Sequence, residues 1–224
     1  MTHHLRKSGY AALVERINRF PQGAPPSEAL EKILGILFSE KDAARVALLP
    51  IKPFTAAQAA RIWQVTAAEA ERTLNDLAGR ALLLDMEEAG RQTYVLPPPM
   101  AGFFEFSLMR IRPDIDQKAL SELFHQYLNV EEDFIKALFT EGETQLGRVF
   151  VHEPALPPEF NLQVLDYERA TAVVETASFR AVGICYCRHK MQHLGRDCDA
   201  AKEICMTFNG TAQSLIKHGH ARPV

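Results

Sequence analysis

The chain has 224 residues, 47% of them hydrophobic and 24% charged, with a formal net charge of −3. That is enough apolar content for a real core in one large or two small domains, and the ordinary charge balance excludes a whole-chain field that would gather nucleic acid or anionic lipid. The apolar runs at 43–50 and 101–109 are too short to span a bilayer, and residues 1–20 lack a secretory signal core, so the expectation is a cytoplasmic protein with no membrane attachment and reduced thiols.

Residues 1–26 open with a helical pattern: Leu13, Val14, Ile17 and Phe20 share one face, and the run from Pro21 to Pro26 ends it. Ser27 is an N-cap candidate for a helix with Leu30, Ile33, Leu34, Leu37 and Phe38 on one side. Another helix is expected over 41–49, stopped by Pro50 and Pro53. Thr55 caps a helix at 56–64, and Thr66 caps a second at 67–80 with Glu69 at the capping-box position. Runs at 82–86 and 92–96 flank a turn containing Gly90 and read as a β-hairpin. Helix, turn, helix, hairpin is the order of a winged helix–turn–helix, assigned to 27–97, with Ile62, Leu74 and Leu77 packed around Trp63.

A helix that reads the major groove wants Arg, Lys, Asn or Gln in its first half. Here Glu69 and Glu71 stand there, leaving Arg72, Asn75 and Arg80 as readers, and the wing pairs Arg91 and Gln92 with Glu87 and Glu88. DNA is therefore the less favoured partner, and protein docking or formation of a homodimer is the expected use of this region.

Pro97, Pro98 and Pro99 form a stiff boundary. Beyond it, 98–180 reads as a helical, α+β linker domain. Helices are expected at 101–110, 117–128, 131–139 and 167–177, and short strands at 147–152, 162–165 and 180–184. Phe103, Phe104, Phe106, Phe124, Phe134 and Phe139 are packing aromatics. The fold class is thus α+β: a winged helix–turn–helix after an N-terminal helix, then a small α/β region ending in a four-cysteine segment at 181–224.

All four cysteines, Cys185, Cys187, Cys198 and Cys205, lie in that last segment, with ten residues between Cys187 and Cys198 and six between Cys198 and Cys205. In a reducing compartment such crowding reads first as a metal site. Four thiolates suit an iron–sulfur cluster or tetrahedral Zn2+, and the spacing fits neither the bacterial ferredoxin run nor a paired zinc knuckle. The stretch 188–197 is expected as a loop and 199–204 as helix-like. Arg188, His189, Lys190, His193, Arg196 and Lys202 surround the thiols, and such cations stabilise the net negative charge of a cluster. His189 and His193, four residues apart, are a minor alternative as zinc ligands. Disulfides, inert buried thiols and a Cys185/Cys187 redox pair stay as further readings. His218 and His220 suit the negative end of the last helix. The chain has no dinucleotide fingerprint, P-loop, nucleophile elbow or HExxH sequence, so no catalytic residues are assigned.

The string Cys185-Tyr186-Cys187-Arg188-His189-Lys190-Met191-Gln192-His193-Leu194-Gly195, then Cys198-Asp199 and Cys205-Met206-Thr207-Phe208, resembles a group of bacterial and archaeal 4Fe–4S ferredoxin-type iron–sulfur proteins with an N-terminal winged-helix region. The resemblance implies a [4Fe–4S] cluster on the four cysteines and one-electron transfer. Members of that group usually continue into a dicluster ferredoxin domain, which residues 1–224 do not include. The implied partner is therefore a redox protein or a separate ferredoxin domain. Two other functions stay open at this point: a winged-helix regulator that senses redox state or metal through the cysteines, and a structural zinc protein.

Overall fold

A computed structural model describes residues 8–20, 22–88, 90–139 and 167–224. The strands expected at 147–152 and 162–165 lie outside the described residues. The architecture is mixed helix and sheet, with two small antiparallel sheets.

Three serines start the first three helices. Ser8, Ser27 and Ser39 each accept a backbone N–H from the first turn of α1 (Gly9–Ile17), α2 (Glu28–Leu37) and α3 (Glu40–Ala47). The next helix is α4 (Ala56–Trp63), where Thr55 and Gln58 make the reciprocal capping box. Gln64, at φ 56°, turns the chain into α5 (Ala67–Gly79), capped by Thr66. Glu69 does not complete a second box, because its carboxylate meets Arg45 at 2.7 Å. The hairpin follows as β1 (Leu84–Glu88) and β2 (Arg91–Val95), reversed at Gly90 with φ +74°. Phe54 and Tyr94 exchange both backbone hydrogen bonds, so the segment before α4 joins the hairpin's edge.

The helix expected over 101–110 is only a turn, α6 (Phe104–Phe106). Pro97–Pro99 and Ala101, at φ 55°, break the backbone before it. α7 (Gln117–His125) widens into a π-type turn, Gln126–Val130, and leads to α8 (Glu132–Phe139). The remaining order is α9 (Tyr167–Thr176), β3 (Arg180–Ile184), α10 (Tyr186–His193), β4 (Glu203–Phe208), α11 (Asn209–Lys217) and β5 (Arg222–Pro223). Strands β4, β3 and β5 form one antiparallel sheet in that spatial order.

Two sequence expectations are corrected here. The stretch read as a loop at 188–197 begins inside α10, and the helix-like stretch at 199–204 runs into strand β4. A third correction concerns Trp63, which is half-buried at the edge of the core beside an exposed Ile62 and is not the centre around which the fully buried Leu74 and Leu77 pack.

One apolar core runs from Leu13 to Tyr186. Its centre is aromatic: Phe104 meets Phe103, Phe124, Tyr127 and Phe134, and Phe124 meets Tyr186 edge-on at 5.8 Å. α11 lies on β1, where Asp85 draws in Ser214, Lys217 and His218.

Candidate metal centre

The cysteines stand where strand, helix and strand meet. β3 delivers Cys185 as the residue before α10, and Cys187 follows in the first turn of that helix. Cys205 lies in β4, opposite Gly183 of β3. The Cys185 N–H donates to Lys202 O at 2.6 Å, which ties the start of α10 to the start of β4. α10 forms although Cys185 gives it no side-chain cap. Its buried face is Tyr186, His189 and Lys190, one helical stripe that packs on α7 and α6.

Cys185, Cys187 and Cys205 line one cavity of about 260 Å3, together with Glu105, Tyr186 and Lys190. Met100, Leu128 and Ile135 give it apolar walls, and Asn129 stands at its side. Cys198 is not among the lining residues; it sits in the exposed stretch between α10 and β4. The structure thus brings three of the four cysteines to one place and leaves the fourth apart. Among the described residues, no group of three or more His, Cys, Asp or Glu side chains stands closed around a metal position.

Electrostatics bind these three thiols into one unit. Burial pushes the Cys187 thiol up, and neighbouring Cys185 pushes it further. Burial likewise raises Cys205, with Cys185, Cys187 and Glu105 adding to it. Glu105 is itself raised by burial, although its carboxylate accepts the Gly102 N–H at 3.0 Å. Negative charge is therefore costly in this cavity unless a cation arrives with it.

Two polar groups at the cavity are incompletely matched. Lys190 is 7% exposed; its ammonium donates to Asn129 Oδ1 at 2.7 Å and lies 5.5 Å from the centre of the Tyr186 ring. No carboxylate stands within ion-pair distance of it among the described residues. Burial lowers its affinity for a proton, and the nearby Cys187 and Glu105 oppose that. The Tyr186 hydroxyl is buried with no hydrogen-bond partner among the described residues. A buried cation and a buried donor beside three thiols are the surroundings that an anionic sulfur-rich group requires. The N-terminus of α10, where Cys185 and Cys187 sit, adds a partial positive charge.

The histidines have other employment. His189 Nδ1 donates to Leu108 O at 2.7 Å, which leaves Nε2 as an acceptor 3.2 Å from His193 Nε2. Neither lines the thiol cavity. Arg188 donates to Ala201 O, and Lys202 pairs with Asp197 at 3.1 Å, so both brace the stretch around Cys198. His218 and His220 do not simply face a helix end: His218 bonds Asp85, and buried His220 donates from Nε2 to Gly79 O at 3.0 Å.

Sequence reasoning missed Glu105 and Asn129, which reach the cavity from distant elements. Glu105 carried a signal, as one carboxylate amid Phe103, Phe104 and Phe106. Compared with protein-family models, with curated proteins and with solved structures, the chain matches none.

Proposed function

We propose that this protein carries an iron–sulfur cluster at the cysteine cavity and exchanges single electrons with a redox partner. The observation that carries the reading is the convergence of Cys185, Cys187 and Cys205 on one cavity with the buried Lys190 ammonium, which among the described residues has only a neutral acceptor. Thiolates bearing a [4Fe–4S] cluster would supply the missing negative charge. Cys198, which the structure leaves outside the cavity, would complete the set of four through movement of the stretch that links α10 to β4. When bound, the cluster supplies the one-electron chemistry; the chain's own residues hold it, exclude water and set its charge environment. Lys190 would offer it a cation and Tyr186 a buried donor, while Met100, Leu128 and Ile135 would lower the local dielectric.

The test is anaerobic purification with iron, acid-labile sulfide and visible absorption measured together. The expected result is about four iron and four sulfide per chain with a broad brown band. Substituting Cys185, Cys187 or Cys205 by Ser should each abolish the band, and Cys198→Ser should abolish it or convert the cluster to a three-iron form. One zinc and no sulfide would make the segment a structural clamp instead.

The winged-helix reading of 27–97 is supported by the order α4, tight turn, α5, hairpin, and by the Phe54–Tyr94 bridge beside that hairpin. The regulatory reading on DNA is weakened by what its reader residues do. Asn75 Oδ1 accepts the Tyr94 hydroxyl, and Arg80 pairs with Asp42 and Asp76, each at 2.9 Å. Arg72 alone of the three is left for a base edge, too little for sequence readout.

A further inference from the structure

Helices α3 and α4 leave a surface whose composition is unusual for an acidic chain. Leu48 is 62% exposed, Ile51 40% and Ile62 37%. Ordinary surfaces scatter such residues singly, whereas here Leu48 and Ile62 line one depression together. One depression of about 380 Å3 is lined by Lys41, Leu48, Ile62 and Trp63, and a second of about 400 Å3 by Pro50, Gln58, Arg61 and Ile62. Ile62 lines both, so the two adjoin at its side chain.

The rim is positive. Lys41 and Arg61, which line the two depressions, are exposed, and neither has a carboxylate within ion-pair distance among the described residues. The nearby acids are already used: Glu69 by Arg45, Asp42 by Arg80, and Glu40 by the Gly9 N–H. The floor is rigid, because Trp63 Nε1 donates to Arg45 O at 2.9 Å and the Arg45 guanidinium lies 5.5 Å from the Trp63 ring centre. A pre-formed apolar trough with a cationic rim is complementary to one kind of ligand, a helix with leucine-like residues along one stripe and carboxylates along its flanks. Nucleic acid fits poorly, since the exposed Leu48 and Ile62 side chains would face phosphate.

We propose that the groove between α3 and α4 docks an acidic amphipathic helix of a partner protein. It is independent of the cysteine cavity and of whether that cavity holds a cluster. The helix–turn–helix unit would then serve as a protein platform, with α5 as its support.

Trp63 is the chain's single tryptophan, so its emission reports this groove directly. The probe is a synthetic peptide of about 16 residues, long enough to form a helix on contact, with leucines at i, i+3, i+4 and i+7 and glutamates elsewhere. Its twin carries lysines in place of the glutamates. The full chain should bind the glutamate peptide with a shift in Trp63 emission and weakening at high salt, and bind the lysine twin at least about tenfold more weakly. The double variant Lys41→Glu, Arg61→Glu should invert that preference, and Leu48→Ser should weaken both peptides while leaving the melting temperature unchanged. Equal binding of the two peptides, or no response to either, overturns the proposal. So does a concentration-dependent dimer that Leu48→Ser abolishes, which would assign the groove to self-association.

Discussion

Tyr186 is 5% exposed, and its hydroxyl has no hydrogen-bond partner among the described residues. In the metal-free chain that is a cost, since a buried donor without an acceptor loses its water for nothing. In a cluster-bearing chain the same hydroxyl would have sulfur to donate to. One substitution therefore separates the two roles. Tyr186→Phe should stabilise the metal-free protein by about 1 kcal/mol in thermal or urea melts. In the iron-loaded protein it should lower the reduction potential, because a hydrogen bond to sulfur favours the reduced state. A variant that loses stability without metal and keeps its potential with metal would make Tyr186 a packing residue only. At this scale the sequence was partly legible. The crowding of four cysteines marks the segment without any structure, and Tyr186 and Lys190 sit beside them in the chain. Glu105 and Asn129 were out of reach, because only packing of α6 and α7 against α10 brings them to the cavity.

Elements were legible where their local chemistry is self-sufficient. Thr55 and Thr66 start α4 and α5 as side-chain acceptors, and Gly90 supplies the positive φ that the hairpin needs. α10 lacks such marks: it has no capping side chain, and its buried stripe includes His189 and Lys190, which hydropathy counts as outside. β4 alternates Ile204 and Met206 on an exposed face, behind an Ala200-Ala201-Lys202-Glu203 run that reads as helix. The turn at α6 was lost to tertiary context, with Ala101 held in a left-handed conformation. Close approach of elements is testable in the same way. A Cβ on Gly9 would fall 2.5 Å from Glu40 O and 2.9 Å from Ala44 N, both backbone atoms of α3. Gly9→Ala should therefore cost about 2 kcal/mol or more by prying α1 from α3. Gly35, inside α2, has nothing within 4 Å of an added Cβ. Gly35→Ala should gain up to about 1 kcal/mol through helix propensity. Urea unfolding of both variants checks the contrast, and equal effects would mean that the α1–α3 contact relaxes freely.

Over the whole molecule, the C-terminal helix is pinned to the hairpin by groups about 130 residues apart in sequence. The Asp85 carboxylate is fully buried at its side chain and accepts from Ser214 at 2.8 Å, Lys217 at 2.5 Å and His218 at 2.9 Å. Burial disfavours its charge, and the bonds from His218, Lys217 and Ser214 outweigh burial, holding it far below the ordinary carboxylate range. His220 is the opposite case. Burial pushes it down to about 4, helped by Arg110, Arg112 and His218 and opposed by its bond to Gly79 O. Neither relation could be read from sequence, because each partner lies on another element.

The two groups divide acid unfolding into two windows. The unfolded chain protonates His220 near 6.5, before the folded chain does, so stability falls as pH drops from about 6.5 to about 4. The contribution of Asp85 is fully present above its unfolded value near 3.9 and is lost as pH falls further. His220→Gln keeps a donor for Gly79 O without titrating, and should flatten the first window while leaving the second. Asp85→Asn should flatten the second. It should also cost about 2 to 3 kcal/mol at neutral pH, less than a fully buried pair because Lys217 is half exposed. Urea midpoints at pH 7, 5 and 3 separate the windows. If both variants lost stability in parallel with the parent chain at every pH, acid sensitivity would lie elsewhere, and the α11–β1 junction would be held by its apolar contacts alone.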